Sequence, residues 1–256
     1  MRASHPHADV ELLALDLADL ASVAAAAERA GRELPHLDVL VNNAGVMATP
    51  YRQTADGFEL QLGTNHLGHF ALTGRLLPLL LAATRPRVVT VASTAHRIGR
   101  LDFDNLDGSR GYHRWLAYGW SKLANLLFTL ELQRRADAAG ANLRATAAHA
   151  GYTATYLHLR GPQMAGSRLG LAGAKLLTTV AAQSPEMGAL PTIAAAVAPG
   201  VAGGDYLGPR GPFGWRGRPT KVGMSAAARD PELARRLWAV SEQVTGVRYE
   251  QLETTA

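Results

Sequence analysis

A tyrosine and a lysine, Tyr118 and Lys122, lie four residues apart in a stretch whose pattern predicts a helix. On a helix this spacing places both side chains on one face, one turn apart. A free phenol has a pKa of about 10, and lowering it by about 2–3 units with a neighbouring ammonium group requires ~3–4 kcal/mol of differential interaction. The pair therefore predicts general acid–base catalysis by Tyr118. The same spacing also arises by chance in a pair that lies along the protein surface.

Other polar residues follow predicted strands or interrupt a predicted helix. Ser93 follows the strand predicted over 87–92, and the run Asn-Asn-Ala-Gly at 42–45 follows the strand predicted over 37–41. Open α/β sheets bind ligands at the carboxyl ends of their strands, where a serine hydroxyl can donate to a substrate oxygen. Asn65 lies among apolar residues of a helix, although Asn is a mediocre helix former. Each residue alone has a structural explanation as a cap, a turn or a buried amide, but together they predict a site.

Short apolar runs alternate with longer helical patterns along the chain. The predicted strands are 10–15, 37–41, 87–92, 143–148 and 205–207. The predicted helices are 20–30, 56–83, 115–139, 169–182, 185–197 and 231–244, the last capped by Asp230 with Pro231 at its first position. This alternation predicts an α/β protein with a doubly wound, Rossmann-like and mostly parallel sheet. No linker divides the 256 residues, so we expect a single domain over 1–256.

Composition excludes several classes of protein. The chain is 47% hydrophobic and 18% charged, which argues against disorder, and it has no cysteine for disulfides, thiol chemistry or Cys-ligated metals. His66 and His69 lie three apart without an evident third ligand, so we expect no metal site. The net charge of +5 comes from scattered arginines, which argues against nucleic-acid binding. No apolar run approaches ~20 residues and no signal peptide is evident, so we expect a cytoplasmic protein without a membrane span.

Several motifs together resemble the short-chain dehydrogenase/reductase family. They are Asp16 in LALDLADL, NNAG at 42–45, Asn65 in GTNHLGHF, Ser93 in VVTVAS, YGWSK at 118–122 and HAGYTAT at 149–155. The longer phrases ADGFELQLGTNHLGHFALTGRLLPLL and SKLANLLFTLEL are most similar to the retinol-dehydrogenase-like subgroup. The resemblance extends from about residue 9 to the C-terminal helix.

The resemblance implies an oxidoreductase that transfers a hydride between a nicotinamide cofactor, NAD or NADP, and a small alcohol or carbonyl substrate of lipophilic character. Tyr118 would exchange a proton with the substrate oxygen, and Ser93 would hydrogen-bond the same oxygen. Lys122 would lower the pKa of Tyr118 and hold the nicotinamide ribose. Asn65 would place a water molecule in a proton relay to Lys122. The family also implies a homo-oligomer.

The same resemblance implies a cofactor-binding set besides Tyr118 and Lys122. Asp16 would contact the adenine. Asn43, Ala44 and Gly45 would contact the adenosine ribose, and Thr153 and Thr155 the nicotinamide and phosphate side.

The start of the chain departs from the family pattern. Family members open with a strand, a glycine-rich turn (TGxxxGxG), a helix and a second strand, about 40 residues in all, that precede the region of Asp16. We therefore expect an N-terminally truncated sheet, with three explanations open: a start at a downstream Met, a true truncation that moves 10–15 beside 37–41, or completion by a partner chain. The alternative function is accordingly a catalytically incompetent remnant or interaction protein on the same fold.

Overall fold

The structure, a computed structural model, describes residues 7–153, 163–164, 166 and 182–253. Five strands form one sheet in the order β1-β2-β3-β4-β5. They are β1 (Val39–Asn42), β2 (Arg87–Val91), β3 (Arg144–Ala148), β4 (Tyr206–Pro209) and β5 (Pro219–Lys221). The first four strands run parallel and β5 pairs antiparallel with β4. The mostly parallel α/β sheet predicted from the sequence is confirmed, and the carboxyl ends of β1, β2 and β3 meet at one edge.

Helices connect the strands within the described ranges. They are α1 (Leu20–Glu33), α2 (Leu60–Leu62), α3 (Gly68–Leu81), α4 (Arg114–Ala138), α5 (Pro185–Val197) and α6 (Pro231–Thr245). A π-helical turn, Gly63–Leu67, joins α2 to α3. The predicted cap of α6 is confirmed, because the Asp230 carboxylate accepts from the backbone N–H groups of Glu232 and Leu233. Nearly all of the helix predicted over 169–182 lies outside the described residues.

Both faces of the sheet are covered by helices. On β2, Val88 packs with Phe70 of α3 and Phe128 of α4, whereas Val89, its neighbour, packs with Ala195 of α5. Successive residues of a strand point to opposite faces, so a strand buried on both sides is apolar almost throughout. Burial on both faces explains the nearly continuous apolar run from which β2 was predicted.

The strand predicted over 10–15 is wrong. The structure has no strand there, and Leu12 is 88% exposed. A strand requires a neighbour for its backbone hydrogen bonds, and the described sheet offers none to this segment, since β1 pairs only with β2. The alternative placement of 10–15 beside 37–41 is wrong for the same reason. Conversely, β5 forms where the sequence analysis predicts no strand.

Candidate active site

A cleft of about 650 Å³ opens at the carboxyl ends of β1, β2 and β3. This volume is in the range of small-molecule sites, roughly 300–1,000 Å³. Seven of the predicted site residues line it: Asn43, Ala44, Gly45, Ser93, Tyr118, Lys122 and Thr153. The structure therefore brings together residues that are more than 100 positions apart in the sequence.

Lys122 is buried at the base of the cleft, with 5% of its surface exposed. Its Nζ donates a hydrogen bond of 2.9 Å to the carbonyl oxygen of Val91, at the end of β2. The same Nζ lies 5.8 Å from the centroid of the Tyr118 ring. Burial disfavours the charged ammonium and lowers the pKa of Lys122 to about 8. At neutral pH this lysine is therefore still mostly a cation.

Tyr118 is buried against Met47 and Ala48. Burial raises the pKa of Tyr118 to about 12, while the side chain of Ser93 acts in the opposite sense. In the chain alone the pKa of Tyr118 therefore lies above its ordinary value, and the lowering of this pKa by Lys122 stays a prediction. The physical reason for the raised pKa is desolvation of the phenolate, which disfavours the charged form of the buried side chain.

Ser93 lies two residues after the end of β2 and caps a short 3-10 helix, Thr94–Ile98. Its Oγ accepts the backbone N–H of Ala95 at 3.2 Å. Because the hydroxyl oxygen serves as the acceptor there, its proton remains available for donation into the cleft.

Asn65 lies in the π-helical turn, fully buried behind Gly45. Its Oδ1 accepts from the backbone N–H of Val46 at 2.8 Å, and its Nδ2 donates to the carbonyl of Val46 and to Ser121 Oγ, each at 2.9 Å. The Ser121 hydroxyl in turn donates to the carbonyl of Tyr118 at 2.8 Å. The side chain of Asn65 therefore ties the loop after β1 to α4. The predicted water relay to Lys122 stays a prediction.

The remaining predicted cofactor residues differ in position. A Cβ on Gly45 would lie 2.7 Å from Asn65 Oδ1, so only glycine fits between the loop and the π-helical turn. The Thr153 hydroxyl donates to the carbonyl of Ala150 at 2.6 Å. Asp16 is exposed and is not among the lining residues of the cleft; its Oδ1 accepts from the N–H of Ala18 at 2.8 Å. Thr155 lies outside the described residues.

His66 and His69 are structural residues within the fold that the structure describes. His66 Nε2 is 2.9 Å from Ser241 Oγ, and His69 Nδ1 donates to the backbone carbonyl of Asn65 at 3.0 Å. Burial lowers the pKa of His66 to about 3 and that of His69 to about 4, so both rings are neutral at pH 7. The described part of the chain holds no group of three residues suited to a metal ion.

Two large side chains, His149 and Trp215, are among the lining residues that were not predicted as site residues. His149 directly follows β3, and Trp215 belongs to the loop between β4 and β5. The position of His149 after an apolar strand is a signal that could have identified it. Trp215 had no such signal, because its loop reaches the cleft only through tertiary contacts.

The family model described as short chain dehydrogenase matches residues 2–162, more than half of the chain. The chain therefore belongs to the short-chain dehydrogenase family.

Individual relatives refine this placement. Retinol dehydrogenase 14 of Mus musculus is 39% identical over 237 residues, which are 91% of this chain and 66% of that protein. Polyprenol dehydrogenase of Mus musculus is 42% identical over 241 residues, covering 91% of this chain and 68% of that protein. The chain thus spans about two thirds of the length of these relatives. The crystal structure of an uncharacterized protein from Mycobacterium Paratuberculosis is 45% identical, with a TM-score of 0.72 over 96% of this chain and 80% of that chain.

No helix in the described ranges combines the length and apolar character that crossing a bilayer requires.

Proposed function

We propose that this chain transfers a hydride between a nicotinamide cofactor, NAD or NADP, and an alcohol or carbonyl substrate, with Tyr118 as the acid–base. The observation that carries the proposal is the arrangement of Ser93, Tyr118 and Lys122 in one cleft at the carboxyl ends of the strands. There, the hydroxyl groups of Tyr118 and Ser93 and the ammonium group of Lys122 line the same space.

The residues present fit the nicotinamide and ribose part of such a cofactor. Lys122 is a buried ammonium that forms no ion pair with any described residue, and a buried cation gains from hydrogen-bonding oxygens such as ribose hydroxyls. Asn43 and Ala44 are exposed to the cleft beside it. The sequence has no glycine-rich fingerprint for the diphosphate, so the proposal assigns no residue to that group.

The protonation states suit reduction of a carbonyl. With a pKa of about 12, Tyr118 keeps its proton at neutral pH and can donate it to the carbonyl oxygen. The Ser93 hydroxyl, oriented by Ala95, donates to the same oxygen and stabilises its developing negative charge. The Lys122 cation at the base of the cleft favours the tyrosinate that remains. The bound nicotinamide would supply the hydride.

A lipophilic substrate is consistent with the walls of the cleft. Met47, Trp115 and Trp215 line it besides the polar residues. Retinol and polyprenol dehydrogenases are among the relatives. From these names we infer that the substrates of this chain are also lipophilic alcohols or carbonyls.

Cofactor binding and a Tyr118→Phe variant test the proposal. At 100 times its Kd, a cofactor that binds only the native state adds about 2.7 kcal/mol of stability. We therefore expect NADH or NADPH to raise the Tm of the chain by several degrees. Tyr118→Phe should lower kcat ~10²–10⁴-fold, as for loss of a general acid, with cofactor binding retained. Tyr51→Phe, outside the cleft, serves as control. Absence of any Tm shift at millimolar cofactor would contradict the proposal.

A non-catalytic interaction protein is the second candidate, favoured by the edge of the sheet. β1 pairs with β2 on one side only, and no described strand covers its other side. Such an edge can pair with a strand of another molecule. This candidate predicts concentration-dependent association that Tyr118→Phe leaves unchanged, measurable by sedimentation velocity.

A further inference from the structure

A second cavity, of about 600 Å³, lies beside the cleft. Thr94, His149 and Trp215 line both spaces, so the two adjoin. The border at His149 is therefore where a molecule with its reacting carbon near Ser93 and Tyr118 would enter the second cavity.

The second cavity is rich in positive charge. Arg97, Arg210 and Lys221 line it, and its described lining includes no Asp or Glu. Lys221 is partly neutralised by Asp205 at 2.7 Å. Arg97 and Arg210 form no ion pair with any residue that the structure describes. A concave surface with one sign of charge concentrates ions of the opposite sign.

The described lining of the cleft likewise contains no carboxylate.

The exposed side chain of Arg97 is oriented by one hydrogen bond. One of its Nη atoms donates to the carbonyl of Gly223 at 3.0 Å, which leaves its other N–H groups for a ligand. A guanidinium group held in this way can bind a carboxylate or phosphate through two parallel hydrogen bonds.

His149 supplies a neutral donor at the junction of the two spaces. Its Nδ1 accepts the N–H of Gly151 at 3.2 Å, so the neutral ring carries its proton on Nε2. Tyr206, whose ring packs at 5.3 Å from that of His149, also lines the second cavity, and its hydroxyl is buried without a partner among the described residues.

The loop that borders both spaces is held by hydrogen bonds. The carbonyl of Trp215 accepts the N–H of Tyr152 at 2.9 Å, and the N–H of Gly217 donates to Gln183 at 3.1 Å. The loop that carries Trp215 is thus attached to the turn after β3, so the second cavity keeps its position relative to Tyr118.

We propose that the second cavity is a subsite for an anionic group, a carboxylate or phosphate, at the far end of the substrate. Arg97 and Arg210 would bind the anion, with His149 donating alongside. The assignment of the reacting end rests on the proposed function, whereas anion binding by the cavity does not depend on it.

Matched substrates test the subsite in the active chain. We expect kcat/KM for 4-formylbenzoate to exceed that for its methyl ester by about 10-fold or more, the worth of one charge-assisted hydrogen bond. Arg210→Gln and Arg97→Gln should remove this preference. Arg75→Gln, an exposed arginine on α3 that lines neither cavity, removes the same charge and should retain it. Equal kcat/KM for acid and ester in wild type, with turnover intact, overturns the subsite but not the proposed function.

A binding measurement separates the two proposals. Benzoate, benzamide and inorganic phosphate are titrated by calorimetry into the chain without cofactor. Binding of benzoate or phosphate but not benzamide, lost in Arg210→Gln and kept in Arg75→Gln, supports the subsite even if no aldehyde is reduced. If phosphate binds but 4-formylbenzoate has no advantage over its ester, the anion is not part of the substrate and the proposal fails. Displacement of benzoate by NADP would assign the cations to the cofactor and also overturn it.

Discussion

Lys122 holds a charge inside the protein at a cost in stability. Burial lowers its pKa from 10.5 to about 8, a change that corresponds to roughly 3 kcal/mol between the charged and neutral forms. The carbonyl of Val91, the hydrogen-bond acceptor of Lys122 among the described residues, also accepts from Asn125 Nδ2 at 3.1 Å. Removal of the lysine would therefore leave that carbonyl with a donor.

Replacing Lys122 by an apolar side chain of similar length should therefore stabilise the fold. We expect Lys122→Met to raise the free energy of unfolding at pH 7 by about 1–3 kcal/mol, while activity is lost. The unfolded lysine keeps its proton up to about pH 10.5, whereas the folded one loses it near pH 8. Wild-type stability thus rises between these values, and the advantage of the variant should shrink. Urea unfolding at pH 7, 9 and 10 measures this, and a variant less stable than wild type at pH 7 contradicts it.

At the scale of elements, Ser93 lies near Tyr118 because the backbone of the 3-10 helix that Ser93 caps closely approaches the backbone of α4. A Cβ on Gly119 of α4 would lie 2.8 Å from the carbonyl oxygen of Ala95 and 3.0 Å from the nitrogen of Gly99. Any side chain at position 119 must push the 3-10 helix Thr94–Ile98 away from α4.

Gly119→Ala should consequently destabilise the chain and disturb catalysis together. Overpacking of this kind costs about 1–3 kcal/mol, and displacement of Ser93 should lower kcat. Gly31→Ala is the matched control, because Gly31 also lies in a helix, α1, and a Cβ there meets nothing within 4 Å. That change should stabilise by about 0.5–1 kcal/mol. Thermal unfolding and kcat of both variants measure the contrast; equal effects would contradict the close-approach argument.

Elements with a strong local pattern were predictable from the sequence. The helix predicted over 115–139 is Arg114–Ala138, and the strand predicted over 87–92 is Arg87–Val91. Since Tyr118 and Ser93 lie on or after these elements, most of the candidate site was predictable with them.

Features that depend on tertiary partners were not predictable. Residues 10–15 have the apolar pattern of a strand but no neighbour in the described sheet. The short β5 forms because β4 offers a free edge. The raised pKa of Tyr118 reflects burial that only the packed molecule provides.

For the whole molecule, buried histidines tie stability to pH. His66, His69 and His149 are almost fully buried, and burial lowers their pKa values from 6.5 to about 3, about 4 and about 4. The folded rings stay neutral while unfolded histidines bind protons below pH 6.5, so stability falls as the pH drops. At pH 5 the loss is about 2 kcal/mol for each ring. Glu59 opposes it, because burial raises the pKa of its carboxyl group.

Three such rings together approach the net stability of a domain, roughly 5–15 kcal/mol, so we expect acid unfolding near pH 4–5. Urea unfolding followed by circular dichroism should show stability decreasing steadily from pH 6.5 to pH 5. His66→Gln, which removes one buried ring, should lose about 2 kcal/mol less over that interval than wild type. His113→Gln, an exposed histidine, should retain the wild-type slope. Each of these buried rings should lower the free energy of unfolding as the pH drops from 6.5 to 5. A wild-type free energy of unfolding that stays constant or increases over that drop in pH would therefore contradict the prediction.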